Sequence, residues 1–221
     1  MDIVPFLVHI SSFWLCCIYF YKYDKKFIEK SNENKNKYYK AIKVSIINQF
    51  CISLPILYFL QDNITNTTQE AQEYTYIKTI CNIILIANIS NLIFYTIHRT
   101  FHNTYFYKKI HYMHHEFIEP VAPSALYAHP LEHIFANTLP FLCTYLYFGC
   151  SYYIMLLLLC AGSFITTIAH TNHDINFFDT DHIFHHKYFK VNFGFGGYID
   201  KFFNTYYDSQ HEINYESQYN N

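Results

Sequence analysis

Three apolar runs of near-bilayer length fill the first hundred residues. Residues 3–21 contain no Asp, Glu, Lys or Arg, 41–60 contain only Lys43, and 77–97 only Lys78. Each approaches the roughly 20 residues that an α-helix needs to cross a hydrocarbon core. A soluble core can bury a helix pair of this kind, but three such segments would swamp a small soluble fold. Two shorter runs, 131–148 and 150–169, flank Gly149, with Glu132 and His133 at the start. They predict a tight helical hairpin that penetrates or barely spans the membrane. The expected fold is an all-α membrane protein of about four or five membrane helices, the hairpin included, with a helical cap. Composition agrees: 52% of residues are hydrophobic and 14% charged, poorer in charge than an ordinary soluble domain.

The connections predict orientation. Residues 22–40, read as a solvated loop, hold seven lysines against Asp24, Glu29 and Glu33. Residues 61–76 hold no Lys or Arg but carry Asp62, Glu70 and Glu73. The positive-inside rule makes the first connection cytoplasmic and the second lumenal. The tripeptides Asn63-Ile64-Thr65 and Asn66-Thr67-Thr68 fit glycosylation acceptors on the same lumenal side. The third run then exits into the cytoplasm at His98. The first run lacks a basic start and is too long for a signal-peptide core, so it reads as a retained span. The seven cysteines lie in or beside apolar runs with no CxxC pair, which makes them small hydrophobes and not a disulfide or thiolate framework. A net charge of −2 presents no basic surface for nucleic acid.

Twelve of fourteen histidines fall between His98 and His186. His98 and His102 form an HxxxH, His111, His114 and His115 an HxxHH, and His182, His185 and His186 a second HxxHH. Histidine frequency alone would give only about 0.05 HxxHH matches in a chain like this. On a helix, residues three and four apart share a face, so each box is expected to aim two or three imidazoles at one spot. Eight clustered imidazoles exceed the four that close a tetrahedral zinc site, and the number suits two metal ions. Imidazole suits iron, zinc and copper alike, so the donors do not name the metal. His129 and His133 fit a supporting or structural role at least as well as ligation. Asp174, Asp181, Glu116 and Glu132 are candidates to accept from imidazole N–H groups, while His9 and His211 lie outside the clusters.

The histidine blocks resemble the fatty acid hydroxylase/sterol desaturase superfamily over roughly residues 85–208, with 1–84 as N-terminal membrane helices and 209–221 as a polar tail. Within it, Ala125-Leu126-Tyr127-Ala128-His129-Pro130-Leu131-Glu132 is similar to the A-x-Y-A-H-P-x-E of C-4 methylsterol monooxygenases. His170-Thr171-Asn172-His173-Asp174-Ile175 is similar to their H-S-G-Y-D-I. Asp181 to His186, then Asn192-Phe193-Gly194 and Asp200 to Thr205, are similar to their last histidine box and its W-D-x-x-F-G-T sequel. The chain departs from that pattern in a short 174–181 connection, in His173 where those enzymes have Tyr, and in Asn204 where they have Gly.

The resemblance implies a di-iron centre, with O2 as co-substrate, that hydroxylates a membrane lipid such as a C-4 methylsterol; zinc can replace iron on purification. It implies ligation by His98, His102, His111, His114, His115, His182, His185 and His186, with His170 and His173 completing the set. A fatty acyl hydroxylase or desaturase of the same superfamily, or a non-catalytic metal-binding membrane protein, remains the alternative. His129-Pro130-Leu131-Glu132 is not a haem motif, so electrons are expected from cytochrome b5 or an NAD(P)H-dependent reductase. The expected setting is the endoplasmic reticulum membrane, with the histidines facing the cytoplasm.

Overall fold

A computed structural model describes residues 2–171 and 182–207. Among these residues every regular element is helical and no strand forms. Helix α1 (Val4–Lys30) starts with Pro5 in its first turn, where the missing N–H costs nothing. It runs to Ser31, a single extended residue whose hydroxyl accepts from the N–H of Asn34 and starts α2 (Asn32–Asn48). The 22–40 segment is therefore helix broken at one residue, not a loop. Lysine and glutamate are good helix formers, and Lys25–Glu29 and Lys37–Glu33 pair at i,i+4 spacing. The charged residues extend both helices past the apolar runs.

Helix α2 passes through a π turn (Gln49–Ser53) into α3 (Leu54–Phe59). Pro55 lacks an N–H and crowds the preceding turn, and the widened π turn absorbs that clash. Residues 61–76 also hold more helix than expected, as α4 (Gln61–Glu70) and one 3₁₀ turn. Helix α5 (Tyr76–Phe101) is capped by the Thr75 hydroxyl and ends at His102. Short α6 (Thr104–Lys109), capped by Asn103, leads into 3₁₀ turns at His111–Glu116 and Ala122–Leu126.

The hairpin begins with one turn, α7 (Pro130–Glu132), and a second π turn (His133–Thr138) just before Pro140. Its arms are α8 (Leu139–Phe148) and α9 (Tyr152–Ala169). Gly149 turns the corner at φ 72°, and a Cβ there would lie 3.1 Å from Thr67 Cγ2. Asn82 of α5 donates to the Phe148 and Gly149 carbonyls, tying the corner to the bundle. Helices α10 (His182–Tyr188) and α11 (Tyr198–Phe202) close the cap.

Among the described residues four helices are long and apolar enough to cross a membrane: Val4–Lys30, Asn32–Phe59, Tyr76–Phe101 and Tyr152–Ala169. Helix α1 packs on α9, and α5 on α8. Leu15, Ile18, Ile77 and Leu157 stand exposed on the outside, an apolar exterior suited to lipid and not to water. The chain is an integral membrane protein by these helices, and the histidines gather at one end of the bundle.

Candidate metal centre

Nine of the ten expected ligands converge into two groups. His98, His102, His111, His115 and His185 form one, and His114, His170, His182 and His186 the other; within each, one ligand atom per residue lies within 4.8 Å of the rest. The tenth, His173, lies outside the described residues, as do His211, Asp174 and Asp181. Each HxxHH box divides between the groups instead of aiming at one spot. His111 and His115 enter the first group and His114 the second, while His185 enters the first and His182 and His186 the second. Adjacent side chains on a helical turn diverge, so a consecutive His-His pair reaches two places while i,i+4 partners reach one. The first box is also a 3₁₀ turn and not an α-helix.

Ring orientation is fixed from outside. His98 Nδ1 donates to the Phe193 carbonyl at 2.7 Å and His185 Nδ1 to the Val191 carbonyl at 2.7 Å. His111 Nδ1 donates to Glu132 Oε1 at 2.8 Å, and His114 and His170 Nδ1 donate to the carbonyls of Tyr127 and Thr166. The four carbonyl oxygens can only accept, and the Glu132 carboxylate accepts when ionised, so each Nδ1 then carries the hydrogen and each neutral ring turns a bare Nε2 lone pair inward. His98 and His111 Nε2 nevertheless approach to 3.1 Å, as do His114 and His170 Nε2. Two lone pairs at that distance repel unless a cation lies between them. In the wall of the same cluster His115 Nδ1, His182 Nδ1 and both nitrogens of His186 are buried with no hydrogen-bond partner among the described residues.

Burial keeps the rings neutral. It lowers His114 from 6.5 to about 4 and His102 to about 3. Burial, then the neighbouring His114, lowers His170 to about 3. His111, His115, His182, His185 and His186 fall well below the usual value for the same first cause, reinforced by surrounding imidazoles. Neutral imidazole is the form that binds a metal. Nine convergent neutral nitrogen donors in two groups fit two transition-metal ions, and the observation that tests the fit is the pair of facing lone pairs.

The family comparison follows this geometry. The profile described as "Fatty acid hydroxylase" matches residues 83–205, more than half of the chain and all nine grouped histidines. The chain belongs to the fatty acid hydroxylase family. Among relatives, human "Fatty acid hydroxylase domain-containing protein 2" is 30% identical over 170 residues, 75% of this chain and 51% of its own length. "Methylsterol monooxygenase 1" of Danio rerio is 30% identical over 200 residues, 83% of this chain and 67% of its own length. "Fatty acid hydroxylase ahd1" of Mycosarcoma maydis is 36% identical over 114 residues, 51% and 30% of the two lengths. The chain thus spans about half the length of the first of these relatives. No solved structure matches it.

The other candidates of this fatty acid hydroxylase family member separate cleanly. Glu132 bonds His111, whereas Glu116 bonds Lys40 and the Tyr127 hydroxyl and hydrogen-bonds no imidazole among the described residues. His129 Nδ1 accepts from the Leu131 N–H as a helix cap, and His133 bonds Ser53. Residue types could not reveal that Phe193, Val191, Tyr127 and Thr166 act through their carbonyls. Buried Asp200 holds that loop in place: its carboxylate accepts from the N–H groups of Phe193 and Gly194 and from the Thr205 hydroxyl. Asn204 lies at φ 55°, a left-handed position that Asn tolerates nearly as Gly does, so this departure from the family pattern keeps the turn.

Beside the histidines a cavity of about 500 Å³ runs between α1, α3, α5, α8 and α9. Phe94, Thr166, Ala169 and Phe195 line its near end. The Phe94 ring lies 5.1 Å from His98, and the Phe195 ring 6.3 Å from His182. Leu57, Ile86, Leu142 and Leu158 line the part farther along their helices.

Proposed function

We propose that this protein is an O2-dependent hydroxylase of a membrane lipid. The observation that carries the reading is the adjacency of two convergent imidazole groups to an apolar cavity set among membrane helices. Two iron ions held by the five- and four-histidine groups would supply reductive activation of O2 toward an unactivated C–H bond, which no side chain can attack. In the net reaction one oxygen atom enters the C–OH, and the other leaves as water with two electrons and two protons from an external donor. Cytochrome b5 or an NAD(P)H-dependent reductase is the proposed donor, reaching the histidine end from the cytoplasm. The proposed setting is the endoplasmic reticulum membrane.

The chain's residues contribute binding, orientation and exclusion of water. The Phe193, Val191, Tyr127 and Thr166 carbonyls and Glu132 lock five rings in one tautomer. Phe94 and Phe195 stack at 4.6 Å where the cavity lining meets His98 and His182. The apolar lining accepts a lipid laterally from the bilayer.

A C-4 methylsterol is the proposed substrate, supported by Ala128-His129-Pro130 with Glu132 and by relatives named methylsterol monooxygenase. The relative named fatty acid hydroxylase supports a fatty acyl chain as the second reading. Expression in yeast lacking its own C-4 methylsterol oxidase tests the first. Falling 4,4-dimethylsterols support it. Unchanged accumulation, with inserted and iron-loaded protein, rejects the sterol and leaves acyl lipids to be profiled by mass spectrometry.

A further inference from the structure

Two histidines outside the metal groups face the same cavity. His9 projects from α1, and its Nδ1 pairs with Ser163 Oγ of α9 at 3.0 Å. His133 lies on the π turn before α8, and its Nε2 pairs with Ser53 Oγ at 2.9 Å. Ser53 closes the other π turn of the bundle, so both irregular turns serve this one contact. Widened turns of this kind recur where a helix bends for function. All four side chains line the cavity, whose remaining wall is mainly apolar. Each ring is locked through one nitrogen, while the other, His9 Nε2 or His133 Nδ1, is enclosed without a partner. Neither ring has a carboxylate hydrogen-bonded to it among the described residues. A buried nitrogen left unpaired is costly, and here two such nitrogens lie just behind the wall of one largely apolar space, where a turn of either ring would present it.

We propose that His9 and His133 form a recognition site for the neutral hydroxyl group of a lipid in this cavity. A hydroxyl donates once and accepts twice, so it satisfies both rings when at least one of them presents an N–H. A carboxylate or ammonium group would carry a charge into apolar surroundings with no counter-ion. Placement sets the consequence for chemistry, which rests on the hydroxylase reading above. Ser163 precedes His170 by seven residues on α9, about 10 Å of helical rise. His133 directly follows Glu132, the partner of His111. A hydroxyl anchored there brings its own end of the lipid toward the metal-binding groups. The hydrocarbon remainder extends toward Leu57, Leu142 and Leu158, which lie farther along each helix from the histidine end.

Binding can be read without turnover. Metal-free and metal-loaded full-length protein in nanodiscs is titrated with two fluorescent pairs: a conjugated-triene 3-hydroxysterol with its 3-deoxy analogue, and a pyrene-labelled long-chain alcohol with the matching hydrocarbon. At least one alcohol should bind about tenfold tighter than its hydroxyl-free partner, the worth of two hydrogen bonds. His9→Phe and His133→Phe should reduce that preference to twofold or less, with affinity for the hydroxyl-free lipid retained. Ser163→Ala and Ser53→Ala, milder changes that release the rings, should weaken it in the same direction. The proposal is overturned if neither alcohol is preferred, or if the preference survives all four substitutions. A preference that depends on the two histidines in protein that oxidises no lipid would reject the hydroxylase reading and leave this site standing.

Discussion

Removing Glu132 should loosen one metal-binding group and leave the other intact. Its Oε1 accepts from His111 Nδ1 at 2.8 Å, and both side chains are buried. In Glu132→Ala the His111 ring loses its orientation and its Nδ1–H is left unpaired. Loss of such an outer partner lowers metal affinity by about 10- to 100-fold, or about 1.4 to 2.7 kcal/mol. Glu132→Gln keeps an accepting oxygen and should fall between wild type and alanine. His114 and His170 are oriented by the Tyr127 and Thr166 carbonyls instead, and no hydrogen bond among the described residues joins Glu132 to the four-histidine group, so that group's ion should stay. Dialysis against a graded chelator, followed by elemental analysis, should show wild type holding about two ions per chain where the alanine variant holds about one. Glu116→Ala is the internal control, because among the described residues Glu116 hydrogen-bonds Lys40 and Tyr127 and no histidine, so it should leave retention unchanged. Equal retention in wild type and Glu132→Ala would refute the reasoning, as would an equal loss in Glu116→Ala.

His114→Ala and His185→Ala remove ligands of different groups, so each alone should reduce metal content by about one ion and the pair by about two; a single substitution that empties both groups would show one indivisible site. In metal-stripped protein, rings held at about 4 (His114) and about 3 (His102, His170) bind fewer protons than the unfolded chain below pH 6.5. Stability is therefore complete above that value and falls as pH drops toward 4, by about 2 kcal/mol per ring at pH 5. Denaturant midpoints at pH 7.5 and 5 check this, and equal midpoints would contradict it. For the proposed orientation, an acceptor tripeptide inserted near Ser31 should remain unglycosylated in microsomes, while the Asn63 and Asn66 segment is open to modification. Glycan added near Ser31 would invert the topology.

The spans and the histidine cluster were legible because both are statements about residue type: apolar length for the first, and a rare side chain at helical spacing for the second. The helical character of 22–40 is not marked by its charge, which signals exposure in loop and helix alike, although lysine and glutamate favour helix in water as well as at a membrane edge. The division of each His-His pair between two groups depends on divergence of neighbouring Cβ directions and on where α5, α9 and α10 deliver the other rings. That information lies in tertiary packing. The acceptors on Phe193, Val191, Tyr127 and Thr166 are backbone oxygens, identical in every residue, so no pattern of side chains could mark them. The two π turns were signalled only indirectly, by Pro55 and Pro140 following them.

The five-histidine group has a temporal consequence. It takes His98 and His102 from α5, His111 and His115 from the following 3₁₀ turn, and His185 from α10, with His98 and His185 oriented by carbonyls of the segment that Asp200 fastens. During synthesis, the ribosome must therefore deliver almost the whole described chain before either ring acquires its final aim. Four spanning helices will have entered the bilayer while this end is still a set of separate imidazoles. On the proposed metal-binding reading, loading is in consequence a late, post-insertion event, and a nascent chain stalled after α9, without His185 and the Phe193 carbonyl, should sit in the membrane with its helices in place and retain the ion of this group less tightly.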